Sequence, residues 1–112
     1  MKENQILVII KEPGKDPRTD PLFDNTLEAF QKAVGGYIET VTVASDLCLV
    51  VNEEGRIRNL PYNLTLCGMP LFGTVIAVGV SGEEFVSIKP DNVDFYFDCI
   101  KATADYEKGR RR

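Results

Sequence analysis

Residues Gln5 to Glu12 hold the feature that most limits how this chain can fold, the unbroken aliphatic run Ile6-Leu7-Val8-Ile9-Ile10. Successive side chains of a strand point to opposite sides, so a run without polar alternation places apolar groups on both faces and predicts an interior strand buried on each. The run is bounded by Lys2 and Lys11 and is too short for a secretory h-region or a bilayer span, so the chain is expected to be cytoplasmic and free of the membrane.

The rest of the chain fits one small domain around that strand. A length of 112 residues suits a single core, which at this size can form without metals or disulfides. The segment from Pro13 to Pro21, with three prolines and Gly14, predicts a loop. Asn25 followed by Glu28 predicts a capping box, and Leu27, Phe30 and Val34 recur at helical spacing, giving a helix over 26–34 that Gly35-Gly36 stops. From Tyr37 the period becomes two, and turns at 44–46 and 53–55 predict a three-stranded antiparallel meander over 37–43, 47–51 and 56–60, with Gly55 at positive φ. Residues 61–70 predict a partly packed connection. The segment 73–80 predicts another buried strand, 85–88 a short one, and Pro90-Asp91 opens a closing helix. The expected class is α+β: a mixed, mostly antiparallel sheet of five to six strands, with two helices packed on one face.

Charge narrows the partners. Four of the 13 basic residues fall in the last five positions, which leaves 9 basic against 17 acidic groups over residues 1–107, a balance of −8. A body of that sign repels a phosphate backbone, so nucleic acid is not an expected partner, and the basic 108–112 tail is expected to be disordered. The sequence contains no His, which excludes Ser-His-Asp and Cys-His catalysis and removes the commonest neutral metal ligand. Cys48, Cys67 and Cys99 show no Cys-x-x-Cys spacing and are expected to be free, reduced, buried thiols.

Motifs that suggest chemistry do not complete it. Glu12-Pro13-Gly14-Lys15 follows a strand, but Asp16 stands where a phosphate loop needs a hydroxyl, and the upstream glycine is missing. Glu53-Glu54 and Glu83-Glu84 suit solvated hairpin tips. No cofactor, metal set or catalytic group is expected. The closing helix is richer: Val93, Phe97, Ile100 and Ala104 share one face, with Tyr96 beside it. Asp91, Asp94, Asp98 and Asp105 form a carboxylate stripe opposite, and Phe95, Cys99 and Tyr106 form a strip along the flank. A straight helix does not converge its carboxylates on calcium.

The segments Leu27-Glu28-Ala29-Phe30-Gln31-Lys32-Ala33-Val34-Gly35-Gly36-Tyr37-Ile38-Glu39, Val51-Asn52-Glu53-Glu54-Gly55, Leu60-Pro61-Tyr62-Asn63 and Phe72-Gly73-Thr74-Val75 together resemble an uncharacterised domain-of-unknown-function family of small proteins carried by bacterial phages, plasmids and conjugative elements. The resemblance spans about residues 5 to 88, implies a mobile-element setting, and supplies no catalytic residues.

Two functions follow as expectations. One is a non-enzymatic interaction protein that meets a protein partner, or a second copy, through Asp91, Asp94, Phe95, Asp98, Asp105 and Tyr106. The alternative is a small-molecule binder or hydrolase built from Tyr37, Tyr62 and Asn63 around the 61–70 connection. A chain ending at Glu107 is expected to show no sequence-specific binding to duplex DNA at physiological salt; sub-micromolar, sequence-dependent binding in an anisotropy titration would contradict the charge argument.

Overall fold

A computed structural model describes the backbone of residues 4–110 and the side chains as far as Tyr106. The elements in chain order are β1 (Gln5–Lys11), β2 (Arg18–Asp24), α1 (Leu27–Val34), β3 (Ile38–Ala44), β4 (Leu47–Asn52), β5 (Tyr62–Leu66), β6 (Met69–Phe72), β7 (Val75–Ser81), β8 (Glu84–Val86) and α2 (Pro90–Arg110). Six strands make one sheet in the order β2-β1-β7-β4-β3, with β8 also paired to β7, while β5 and β6 form a separate hairpin. The expected α+β class is correct, and every strand pairing is antiparallel.

The two helices do not share a face, contrary to expectation. All six residues of β4 are buried, and they divide by alternation. Cys48 and Val50 join Ile6, Val8, Ile10, Ile76 and Val78 in a core closed by Phe23 of β2 and by Phe30 and Val34 of α1. Leu47, Leu49 and Val51 join Ile9, Val75 and Ala77 in a second core, closed by Leu64 and Leu71 of the β5–β6 hairpin and Ile100 of α2. A sheet whose inner strands are apolar on both sides needs cover on both, and a second helix beside α1 would leave one face wet.

The loop expected from Pro13 to Pro21 is shorter than predicted, because β2 begins at Arg18. Proline is admitted on an edge strand, where its missing N–H faces away from the ladder. β2 pairs with β1 through Ile6↔Phe23 and Val8↔Asp20, with a register shift between them close to Pro21. The third meander strand is absent: residues 53–59 form turns, closed by Arg58 N–H to the Glu54 carbonyl (2.8 Å) and Leu60 N–H to the Gly55 carbonyl (2.9 Å). Ile57, alone between two arginines and exposed, has no apolar face to join. Gly55 is required for space, since a Cβ there would lie 2.9 Å from the Phe72 carbonyl oxygen; it is not among the residues at positive φ.

Thr26, and not Asn25, caps α1: its hydroxyl accepts from the Ala29 N–H at 3.1 Å. The Asn25 amide instead donates to the Phe85 carbonyl at 3.0 Å, tying the helix entrance to β8. Gly35, at φ 79°, ends the helix as expected. The connection at 61–70 holds the β5–β6 hairpin, which turns at Cys67 (φ 52°) and Gly68 (φ 75°). Of the basic terminus, Arg111, Arg112 and the side chains of residues 108–110 lie outside the described residues.

Val93, Tyr96 and Phe97 of α2 pack beside Ile100 against the second core. Ile100→Ala is therefore expected to cost about 2–5 kcal/mol as a cavity-forming change, read from urea unfolding; a loss below about 1 kcal/mol would show that α2 does not close the core.

Candidate functional site

The chain reverses direction repeatedly between residues 34 and 75, and buried polar groups fix those reversals. Asn52, at the end of β4, donates from its amide to the Val34 carbonyl at the end of α1 (3.0 Å) and accepts from the Glu54 N–H (2.8 Å). Gly36 lies so close that a Cβ would stand 2.9 Å from the Asn52 amide nitrogen. Tyr37 follows at the entrance to β3, where its carbonyl accepts from the Glu53 N–H at 2.9 Å.

A second joint centres on Asn63. Its amide donates to the carbonyls of Lys11 (2.7 Å) and Gly73 (2.8 Å), and its oxygen accepts from the Lys11 ammonium (3.0 Å). Lys11 is only 3% exposed, and its ammonium also donates to the Glu12 carbonyl at 2.8 Å. One side chain thus joins the end of β1, the start of β5 and the turn into β7. Gly73 has φ +79° and would bring a Cβ to 2.9 Å from Leu60. The cavity beside this joint measures about 390 Å³ and is bordered by the 13–16 loop, Tyr62, Asn63, Ala104 and Asp105.

Of the ligand residues expected from sequence, Tyr62 and Asn63 border that cavity and Tyr37 does not. Tyr37 stands 69% exposed beside Gly36, too far along the chain reversal to join them. The 13–16 loop, rejected as a phosphate loop, borders the cavity all the same, and Lys11 is not a candidate from sequence, because a lysine ending an aliphatic strand reads as its solvated edge. Only its position in the run, next to residues buried on both faces, signals that its stem is enclosed.

The outward side of α2 forms the second candidate site. Asp91, Asp94 and Asp98 are exposed, while Asp105 accepts from the Lys101 ammonium at 3.1 Å. Phe95 and Tyr106 are 64% and 66% exposed. Phe95 packs edge-on against Tyr96, with ring centroids 5.5 Å apart. Beside them lies an apolar groove of about 190 Å³, lined by Val43, Ala44, Leu66, Cys67, Phe95 and Cys99 among others.

The three thiols are free, but only Cys48 is buried as expected. Burial pushes its thiol above the usual range. Cys67 is exposed because it occupies a hairpin turn, and Cys99 because it lies on the flank strip. Asp46, at the turn before β4, accepts from the Tyr96 hydroxyl (3.1 Å) and the Asn92 amide (3.2 Å) and faces Lys89 at 4.0 Å. Desolvation, followed by the Asp46 hydrogen bond and charge, raises the Tyr96 hydroxyl above its ordinary value. Among the described residues no three His, Cys, Asp or Glu side chains converge as a metal site, and no helix is long and apolar enough to cross a membrane.

Asn63→Ala is expected to destabilise the fold by about 1.5–3 kcal/mol, because it removes an acceptor from an enclosed ammonium and leaves two carbonyls short of a donor. Lys11→Met combined with Asn63→Ala should cost less than the sum of the two single changes in urea unfolding; strict additivity would show that the pair is not coupled.

No curated protein and no solved structure matches the chain. A family model described as "Domain of unknown function (DUF3846)" matches residues 4–101, a stretch that takes in both joints, the whole sheet and most of α2. The chain belongs to the DUF3846 family of domains of unknown function.

Proposed function

We propose that this chain is a non-enzymatic recognition protein, working in the cytoplasm for a mobile genetic element and acting on a protein partner through the outward side of α2. The observation that carries the reading is the exposure of Phe95 and Tyr106 on a helix whose inner face is already committed to the core. Burying Phe95 would remove a large apolar surface from water, and aromatic anchors of this kind carry most of the energy at protein interfaces. The apolar groove continues that surface, and Asp91, Asp94 and Asp98 are exposed on the same helix. Carboxylates in such a position steer a basic partner and act mainly on its rate of arrival.

A second reading has an observation of its own. The cavity over Lys11, Tyr62 and Asn63 is within the size range of small-ligand pockets and holds an enclosed ammonium. It would suit a binder of a small polar molecule.

Capture from the native host, followed by affinity measurement on each protein recovered, separates the two. Phe95→Ala with Tyr106→Ala should keep the wild-type circular dichroism and raise the dissociation rate about thirtyfold, the size of a hot-spot loss. Asp94→Asn with Asp98→Asn should slow association and flatten its salt dependence. Undiminished affinity of the Phe95/Tyr106 variant for every recovered partner would leave α2 with a structural role alone.

A further inference from the structure

The two ends of the sheet are finished differently. β2 carries Pro21 together with Arg18, Asp20 and Asp24, the proline and charges that blunt an edge against further pairing. At the opposite end, β3 reads Ile-Glu-Thr-Val-Thr-Val-Ala, with no proline and with Glu39 as its single charge. Among the described residues β4 is its one strand neighbour, so the peptide groups of β3 that turn away from β4 lie open. A register shift between Thr42 and Ala44 bends the far end of β3, and the regular, β-branched stretch from Ile38 to Thr42 is the part of the edge that can template another strand.

Two cavities flank that edge on the face where the hairpin and α2 lie. One, of about 190 Å³, is the apolar groove at Val43 and Ala44, walled by Leu66, Cys67 and Phe95. The other, of about 230 Å³, lies at Glu39 and Val41, walled by Glu53, Arg56, Met69 and Phe72. Glu39 and Val43 are four residues apart and Val43 packs with Val41 on the second core, but the register shift at Val43 shortens the strand there, so the two cavities lie at most roughly 13 Å apart along its axis. The second cavity carries two exposed carboxylates against one guanidinium, and that guanidinium is stacked over the Phe72 ring, 5.5 Å from its centroid.

We propose that the open edge of β3 accepts an extended segment of the partner protein as an added strand. One apolar side chain of the segment enters the groove at Val43, and a Lys or Arg four positions away lies against Glu39 and Glu53. The inference rests on the recognition reading above and names the chemistry of the partner's segment. Strand addition takes its affinity from main-chain hydrogen bonds and its specificity from pockets for alternate side chains, and both are laid out here at matching spacing. The acidic body favours the same basic segment. A second copy of this chain is a poor occupant: antiparallel self-pairing centred on Val41 would set the copy's Glu39 in the apolar groove at Val43.

The test is selection of displayed random decapeptides on the full chain, followed by synthesis of the enriched sequences. The expected ligands carry Lys or Arg and a Leu, Ile, Phe or Met four positions apart, with no proline between. N-methylation of alternate peptide nitrogens should weaken them at least tenfold, and binding should slow amide exchange in β3. Glu39→Lys with Glu53→Lys, at exposed positions, should keep the fold, lower affinity for the basic ligand at least tenfold and raise it for a Glu version. Failure to enrich any ligand, or ligands indifferent to both the N-methyl groups and the charge reversal, would overturn the proposal. Ligands lost with Phe95→Ala and Tyr106→Ala but untouched by the edge changes would overturn it while leaving the α2 reading standing. Concentration-dependent dimerisation that slows β3 exchange would also overturn it, by giving the edge to a second copy.

Discussion

Burial on both faces of β1, β4 and β7 is the constraint from which the other elements take their places. Val8, Val50, Ile76 and Val78 lie on one side of the sheet and Ile9, Leu49, Val75 and Ala77 on the other, all with at most 1% exposure. Each of these Val, Leu and Ile side chains contributes about 1.5–3 kcal/mol only while water is kept away, so neither face can be left open. The eight residues of α1 suffice for one face because Phe23 and Phe85 stack about Phe30, at centroid distances of 4.8 and 5.2 Å. The other face takes both the hairpin and α2. Gly79 belongs to the same constraint: β7 runs so close to the chain after β8 that a Cβ there would meet the Ser87 carbonyl oxygen at 2.5 Å.

The residues that carry the family resemblance mostly serve as joints between these layers. Val34-Gly35-Gly36-Tyr37 and Asn52-Glu53-Glu54-Gly55 meet at the Asn52 amide, and Leu60-Pro61-Tyr62-Asn63 and Gly73 meet at the Asn63 amide. Each amide satisfies buried backbone groups at a place where the chain leaves regular structure, and an unpaired group there would cost free energy comparable to a lost hydrogen bond. Glycines stand where a side chain would strike these joints. A motif of this kind specifies a frame, and the surfaces proposed to meet a partner lie beside it, on α2 and along β3.

How much of this was legible in the sequence follows from where the deciding interactions lie. β1, the meander from 37 to 51, β7, the Gly35 stop and the inner face of α2 are set by neighbours a few positions away, so periodicity found them. Continuous apolar runs already implied two covered faces, and placing both helices on one side failed to follow that implication through. β2 escaped notice because Pro21 argues against an inner strand and says nothing against an edge. Residues 56–60 follow a turn signal at Glu53-Glu54-Gly55, but their two apolar residues, Ile57 and Leu60, are three apart and Ile57 has no partner surface, so no ladder is held. The choice of Thr26 over Asn25 as the cap turns on the bond from Asn25 to Phe85, 60 positions away, and the Lys11–Asn63 joint spans 52, contacts that sequence spacing does not encode. Of the candidate sites, the exposed strip on α2 could be read from helical angles, whereas Tyr37 could not be separated from Tyr62 and Asn63 without the fold.

The attachment of α2 bears directly on what its outer side can do. Near its start, Asn92 and Tyr96 bond to Asp46, and Lys101 reaches Asp16 at 3.5 Å on the 13–16 loop as well as Asp105 on its own helix. The exposed lysine contacts add little stability in water. The Tyr96–Asp46 contact is drier, and it fixes rotation about the helix axis together with Ile100 and Phe97. A helix anchored on its inner face and at its first turns presents Phe95 and Cys99 in one orientation, so a partner docking there would not have to order them first. The cost of ordering side chains and backbone on association is a large part of what weakens small interfaces. Preorganisation by the core is therefore what would let an interface as small as one helix strip and one strand edge bind specifically, and the packing of α2 and the recognition proposed for it would then be two consequences of the same contacts.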